Sequence, residues 1–190
     1  MKLYHGTSNR SAQNIMLEGI KFELCDEFTD NGRGFYLSQE REFAEYRANV
    51  IILLPDKPTV IEMEFDEEAA ASKLNIRHFL EETDEWKFFV SINRLGCKYY
   101  KIMNELFPGR PHNLDKKYDV VIDTPADARI SDRMYQIECE LDNYIRGQKH
   151  IDSRQKIANL IHSITIGSGS ATAKQVSFHT NTALGFLKFV

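Results

Sequence analysis

The chain has little that could staple or anchor it. Its 190 residues include only 3 cysteines, Cys25, Cys97 and Cys139, an odd number at wide spacing, with no CxxC pair for zinc and no dense disulfide framework. Reduced, mostly buried thiols are expected, because free cysteine behaves as a small hydrophobe. No window approaches the ~18 consecutive apolar residues of a membrane span, and no long apolar secretory stretch opens the chain. The expected location is therefore the cytoplasm, with no membrane partner. Excess positive charge is also missing: the formal charge is −4, which removes the electrostatic argument for non-specific nucleic-acid binding yet is compatible with a local basic patch. The chain carries no Walker lysine motif, no His/Cys metal cluster and no Gly-x-Ser-x-Gly elbow. No metal is expected.

What is present reads as one globular domain over residues 1–190. The composition is 42% hydrophobic and 27% charged, typical of a chain that can build a core. Lys2 to Tyr4 reads as a strand and Ser8 to Gly19 as a helix, with Ser8 or Asn9 as its cap and Gly19 suited to the left-handed position after its end. Polar, turn-rich residues run to Gly34. Phe35 to Leu37 reads as a strand and Glu40 to Asn49 as a helix. Thr59 to Phe65 alternates Val60, Glu62 and Glu64 with Ile61, Met63 and Phe65, the pattern of a half-buried strand. The run Glu62, Glu64, Asp66, Glu67 and Glu68 then reads as a solvated strand face and its turn. Helices are expected around Ile76 to Glu82 and Trp86 to Leu95, then a loop with Pro108, Gly109 and Pro111. Tyr118 to Ile122 reads as a central strand. Helices follow over Ser131 to Arg146 and Asp152 to Ser163, and Gly167 to Ala171 reads as a surface loop or lid. The last strand is Gln175 to His179, ahead of a short apolar tail.

Two short stretches stand out, Leu3-Tyr4-His5-Gly6-Thr7 and Gly32-Arg33-Gly34-Phe35-Tyr36-Leu37-Ser38. Taken alone, His5 can simply end a strand with a satisfied hydrogen bond, Tyr36 can be core, and Gly32 and Gly34 can be a turn. Taken together, with an apolar helix and Glu18-Gly19-Ile20 between them and Ala44 after them, they form a registered pattern. That pattern resembles the ADP-ribosyltransferase superfamily, in the branch whose first motif is His-Gly and whose second is Gly-x-Gly-aromatic-Tyr. A compact bacterial group in it also carries an Asp-Arg-x-Tyr segment and a Gln-x-x-Phe-(Lys/His)-Thr strand, as Asp132 to Tyr135 and Gln175 to Thr180 do here. The resemblance spans nearly the whole chain.

The resemblance implies an α+β fold with a split β-core and flanking helices, and an NAD pocket as substrate site. His5 is implied as the ribose contact, with Tyr36 and Tyr46 as stacking rings and Gly6, Thr7, Gly34, Phe35 and Ser38 as pocket lining. The chemistry agrees: a neutral imidazole can accept or donate to ribose hydroxyls, Gly6 lacks a Cβ that would block close approach, and an aromatic face suits a cationic pyridinium. The implied activity is NAD-dependent mono-ADP-ribosyl transfer to a protein or nucleic-acid acceptor, as in bacterial toxins restrained by an antitoxin or used in phage defence. The third family motif is usually a glutamate at the start of a late strand. Gln175 stands there, and an amide supplies neither negative charge nor a general base. Asp127 and Asp132, beside Arg129 and Arg133, are candidate replacements, or else they cap and pair with the helix that follows. His179 is expected on the strand face of Gln175. A catalytically silent NAD-binding or ADP-ribose-binding module is the competing expectation.

Overall fold

A computed structural model describes residues 1–51, 56–127, 129–147, 152–167 and 173–190. The expected loop or lid at Gly167 to Ala171 falls, beyond Gly167, outside them. The chain begins with strand β1, Lys2–Ser8, running into helix α1, Asn9–Glu18. Ser8 caps that helix by accepting from the Ser11 amide at 3.1 Å, and Gly19 ends it at φ 81°, where a Cβ would be strained. A 3-10 turn, Phe22–Leu24, precedes β2, Phe35–Ser38, and α2, Arg41–Ile51. Next come β3, Pro58–Phe65, and α3, Glu67–Ala71. β4, Ile76–His78, leads to α4, Asp84–Leu106, then β5, Val120–Asp123. Helices α5, Ile130–Ile145, and α6, Ser153–His162, lead to β6, Gln175–Phe178, and the chain closes with α7, Asn181–Leu184, and β7, Leu187–Phe189.

Among the described residues the strands form one seven-stranded mixed sheet in the order β4-β5-β6-β2-β1-β3-β7. β4 and β5 run parallel and the other neighbours antiparallel. The register divides the side chains cleanly. One face carries Leu3, Phe35, Leu37, Ile61, Met63, Val120, Ile122, Val176 and Phe178, packed with Ala12, Ala70 and Ala183 of the short helices. On the other face Val121 joins a core built by α4, α5 and α6, from Trp86 and Phe89 to Ile137, Leu141, Ile157 and Ile161. The architecture is thus α+β, with apolar layers on both sides of the sheet.

Several expected elements differ. Ile76 to Glu82 is not helical: Ile76 to His78 lie extended beside Val120 to Ile122, and helix begins only at Asp84, where the Thr83 hydroxyl accepts from the Trp86 amide at 3.2 Å. That helix runs past Leu95 to Leu106, broken at Gly96 by φ 65° and ψ −172°. The acidic run does not end in a bare turn, because Asp66 caps α3 by accepting from the Ala69 amide. The apolar tail becomes α7 and an edge strand paired with Met63 to Phe65. The cysteines depart most from expectation: Cys97 and Cys139 are exposed and Cys25 is half-buried. Cys139 lies two residues from each of the inward-facing Ile137 and Leu141, about 200° around the helix and hence outside. No helix among the described residues is long and apolar enough to cross a membrane.

Candidate functional site

The sheet opens between β1 and β2. β1 pairs with β3 along its whole length, from Lys2 opposite Glu64 to Ser8 opposite Pro58, but it meets β2 only at Tyr4 opposite Ser38. β2 pairs instead with β6 over all of Phe35–Ser38. His5 stands where the two strands part. Its Nδ1 lies 2.7 Å from the Tyr36 carbonyl oxygen, and its ring packs on Phe35 with centroids 4.3 Å apart. Burial lowers the imidazole pKa, against a smaller opposing effect of the Tyr36 contact, so the ring is neutral near pH 7. A carbonyl only accepts, which assigns the proton to Nδ1 and leaves Nε2 as a lone-pair acceptor.

Gly6, next along β1, is required by packing. A Cβ there would lie 1.9 Å from the Ala44 carbonyl oxygen of α2, so the side expected to admit a ligand is taken by a helix. Ala44 and Ala48 are correspondingly small and buried. Tyr46 falls two residues from each, on the outer side of α2, and is 63% exposed. It is not brought to His5. Thr7 and Ser38 are buried, and Ser38 Oγ accepts from the Glu40 amide at 2.9 Å.

Tyr36 latches the loop that precedes its own strand. Its hydroxyl accepts from the Asn31 amide at 2.9 Å, donates to the Gly32 carbonyl at 2.8 Å and lies 2.7 Å from Thr29 Oγ1. Gly34 lies flat on His179, whose ring a Cβ would meet at 2.7 Å. His179 itself is fully buried and lies on the strand face of Gln175, against Ser177. Burial drives its pKa down to about 4. The neutral ring donates from Nδ1 to the Arg33 carbonyl, 2.9 Å away, and accepts at Nε2 from the Ser177 hydroxyl, also 2.9 Å away. His179 is thus a brace between the glycine loop and β6.

Gln175 opens β6, opposite Ser38 on one side and Asp123 on the other. By strand alternation Tyr36, Ser38, Gln175, Ser177 and Asp123 share one face, whereas His5 and Phe35 belong to the other and meet them at the seam. Gln175 is 9% exposed. Its Nε2 lies 3.5 Å from Asp30 Oδ2, and its side chain favours the ionised form of the register partner Asp123. Asp123 is wholly buried and accepts from Asn31 Nδ2 at 3.1 Å and Trp86 Nε1 at 3.2 Å. Burial, with the negative charge of Asp30 adding to it, pushes its pKa up to about 7. Asp30, also buried, pairs with Arg94 Nε at 2.6 Å and accepts from the Ala126 amide at 3.0 Å. Asn31 Oδ1 in this network is buried with no partner.

The expected replacement carboxylates lie elsewhere. Arg133 is engaged with Asp127 at 3.1 Å and with Ser163 Oγ at 3.0 Å, and Asp132 is exposed. Asp127 also accepts from Thr165 Oγ1 at 2.7 Å and from the Arg129 amide at 2.8 Å. Burial raises its pKa, but these hydrogen bonds and the two arginine charges outweigh that and lower it. The segment organises the start of α5 against the end of α6. Sequence reasoning missed Asp30, Asp123 and Arg94; the one signal was an aspartate closing the apolar run Val120-Val121-Ile122.

Two surface concavities lie apart from this site. One of about 500 Å³ has Lys21, Arg33 and Lys116 on its wall, and one of about 740 Å³ is lined by Glu64, Asp66, Glu67 and Glu68 together with Lys2 and Lys188. Among the described residues, no group of His, Cys, Asp and Glu could hold a metal ion. No curated protein and no solved structure matches the chain significantly. Residues 1–189 match the family described as "Protein of unknown function (DUF3990)", and the chain belongs to that family.

Proposed function

We propose that the chain is an NAD-dependent mono-ADP-ribosyltransferase with an ADP-ribosyltransferase-type fold. The observation that carries this reading is the opening of the sheet between β1 and β2, with His5 bonded across it to Tyr36 and Gln175 on the neighbouring strand. In this reading Nε2 of His5 accepts from a ribose hydroxyl, the Tyr36 ring faces the nicotinamide, and Gln175 accepts from a hydroxyl of the nicotinamide ribose. The bond from C1′ to the pyridinium nitrogen breaks, and its electron pair leaves with neutral nicotinamide. The acceptor nucleophile then bonds to C1′ and loses its proton to solvent. Positive charge grows on the ribose as the bond breaks, so fixed acceptors and nearby negative charge favour the transition state.

Gln175 supports a second reading, a silent module that binds NAD or ADP-ribose without turnover. Incubation with adenine-labelled NAD and cell lysate separates the two. Label transfer with nicotinamide release supports the transferase, binding without either supports the module, and no binding at all overturns both. Protease and nuclease digestion of the labelled product then assigns a protein or nucleic-acid acceptor. A cytoplasmic toxin restrained by an antitoxin is the biological setting that the family analogy favours.

A further inference from the structure

Resting on the reading of Gln175 as the third-motif residue, we propose that the carboxylate missing from that position stands one strand over, at Asp123. Asp123 and Asp30 hold the Gln175 amide nitrogen and turn its carbonyl oxygen to the substrate side. Asp123 is the register partner of Gln175 across β5 and β6, on the same sheet face. Asp30 Oδ2 is 3.5 Å from Nε2, and Gln175 acts on its register partner Asp123 as a donor does, favouring the ionised carboxyl. The Asp30 carboxylate, ion-paired with Arg94, accepts only, so the amide nitrogen is turned toward it and the oxygen away from it. Donation to a buried carboxylate also polarises the amide and makes its oxygen a stronger acceptor.

Neither carboxyl is a surface charge that has strayed inward. Asp123 is held by Trp86 Nε1 and Asn31 Nδ2, and Asp30 by Arg94 and the Ala126 amide. The groups facing Asp123 are Trp86 from α4, Asn31 and Asp30 from the loop before β2, Gln175 from β6 and the Tyr36 phenol from β2, with Arg94 of α4 bound to Asp30. Arg94 is the cation of the group. Asp123 and Asp30 are positioning residues that act through Gln175. A glutamate at 175 would put a third carboxylate against two that share one arginine, so amide and carboxylate are expected to tolerate exchange only as a pair.

The test uses the full chain with Asp123→Asn, Gln175→Glu and the double exchange, followed by NAD turnover and by thermal melting at pH 8. Each single variant is expected to lose about tenfold or more in kcat with KM within about threefold, and the double variant to recover most of that loss. The kcat profile of the wild type should show an ionisation near pH 7 that is absent in Asp123→Asn. In melting, Gln175→Glu should lower Tm and the double variant restore it. Losses that add in the double variant, in kcat or in Tm, overturn the exchange. If the wild type neither binds nor consumes NAD, the transferase reading fails by itself, and the Tm cycle still decides whether the two positions are coupled.

Discussion

Nδ1 of His5 donates to the carbonyl oxygen of Tyr36 across 2.7 Å, bridging strands that have only one paired position between them. That bond fixes the tautomer, and the tautomer leaves Nε2 free to accept. The two roles of the ring are therefore separable by substitution. An asparagine amide nitrogen approximates Nδ1 without supplying anything at Nε2. His5→Asn should keep the wild-type Tm within a few degrees and lose NAD binding, whereas His5→Ala should lose both, with a stability cost of about 1–3 kcal/mol for the abandoned carbonyl. Thermal melting paired with titration calorimetry reads the two effects separately. Equal NAD affinity in His5→Asn and wild type would show that Nε2 touches no ligand.

Gly6→Ala tests a packing requirement. The new methyl would lie 1.9 Å from the Ala44 carbonyl oxygen, and backbone cannot rotate aside as a flexible side chain can. The expected loss is about 3 kcal/mol, at the upper end of the usual cost of overpacking. Urea denaturation of the unliganded protein measures it. A variant as stable as wild type would mean that α2 lifts from β1 without resistance.

The pH dependence of stability sets two buried groups against each other. His179 has a folded pKa near 4, below its ordinary 6.5, so the unfolded chain binds its proton first. Its contribution is complete above about pH 6.5 and is lost as pH falls toward 4. Asp123 is raised from 3.8 to about 7, so the folded chain holds that proton more tightly. Its contribution is complete below about pH 4 and is lost as pH rises through 7. At full extent the His179 contribution is roughly 3 kcal/mol and that of Asp123 roughly 4–5 kcal/mol. Relative to wild type, Asp123→Asn should gain stability as pH rises from 4 to 7, and His179→Gln should lose it from 4 to 6.5. Denaturation midpoints at pH 4, 5.5 and 7.5 check both slopes. Parallel profiles in all three proteins would refute the assignment.

Much of the frame was legible in the sequence because local rules governed it. Ser8 and Gly19 bounded α1 by capping chemistry, and the alternation through Ile61, Met63 and Phe65 chose the buried face of β3. The motif strands around His5, Tyr36 and Gln175 were located correctly, and the sheet order makes them neighbours. Non-local contacts explain what was missed. Ile76 to His78 become a strand only because β5 lies alongside, and nothing in three residues announces that pairing. Gly6 is a glycine because of a helix about forty residues later. Asp30 and Asp123 meet Gln175 through strand register, which sequence spacing does not reveal. Tyr46 was misplaced for a simpler reason, since its position two residues from Ala44 turns it away from the sheet.

Tyr36→Phe separates the ring from the hydroxyl. The ring that would face nicotinamide survives, but the Asn31 amide loses its partner, while the Gly32 carbonyl keeps the Thr29 hydroxyl at 2.6 Å. The cost should be about 1–3 kcal/mol, the usual range for leaving a buried polar group unmatched. Hydrogen exchange should quicken at the Asn31 amide while the β6 amides keep their protection. Unchanged exchange at Asn31 would mean that the loop is held without the latch.

The start of α5 and the start of β6 compete as the source of catalytic support. Arg133 ties Asp127 to Ser163 at the junction of α5 and α6, so Arg133→Ala should cost about 1–3 kcal/mol of stability. It should leave NAD turnover unchanged at temperatures where the variant is folded. Asp132→Asn and Tyr46→Ala change exposed groups and should move neither stability nor turnover by more than about 0.5 kcal/mol. Gln175→Ala removes the acceptor and leaves Asp30 and Asp123 facing a gap. On the transferase reading it should lower kcat by more than it raises KM, because the proposed contact would gain strength as the glycosidic bond breaks. Steady-state kinetics on the four variants, with melting curves beside them, rank the sites. If Gln175→Ala turns over NAD normally while folded Arg133→Ala or Asp132→Asn is inactive, the catalytic support lies at the start of α5 and not on β6.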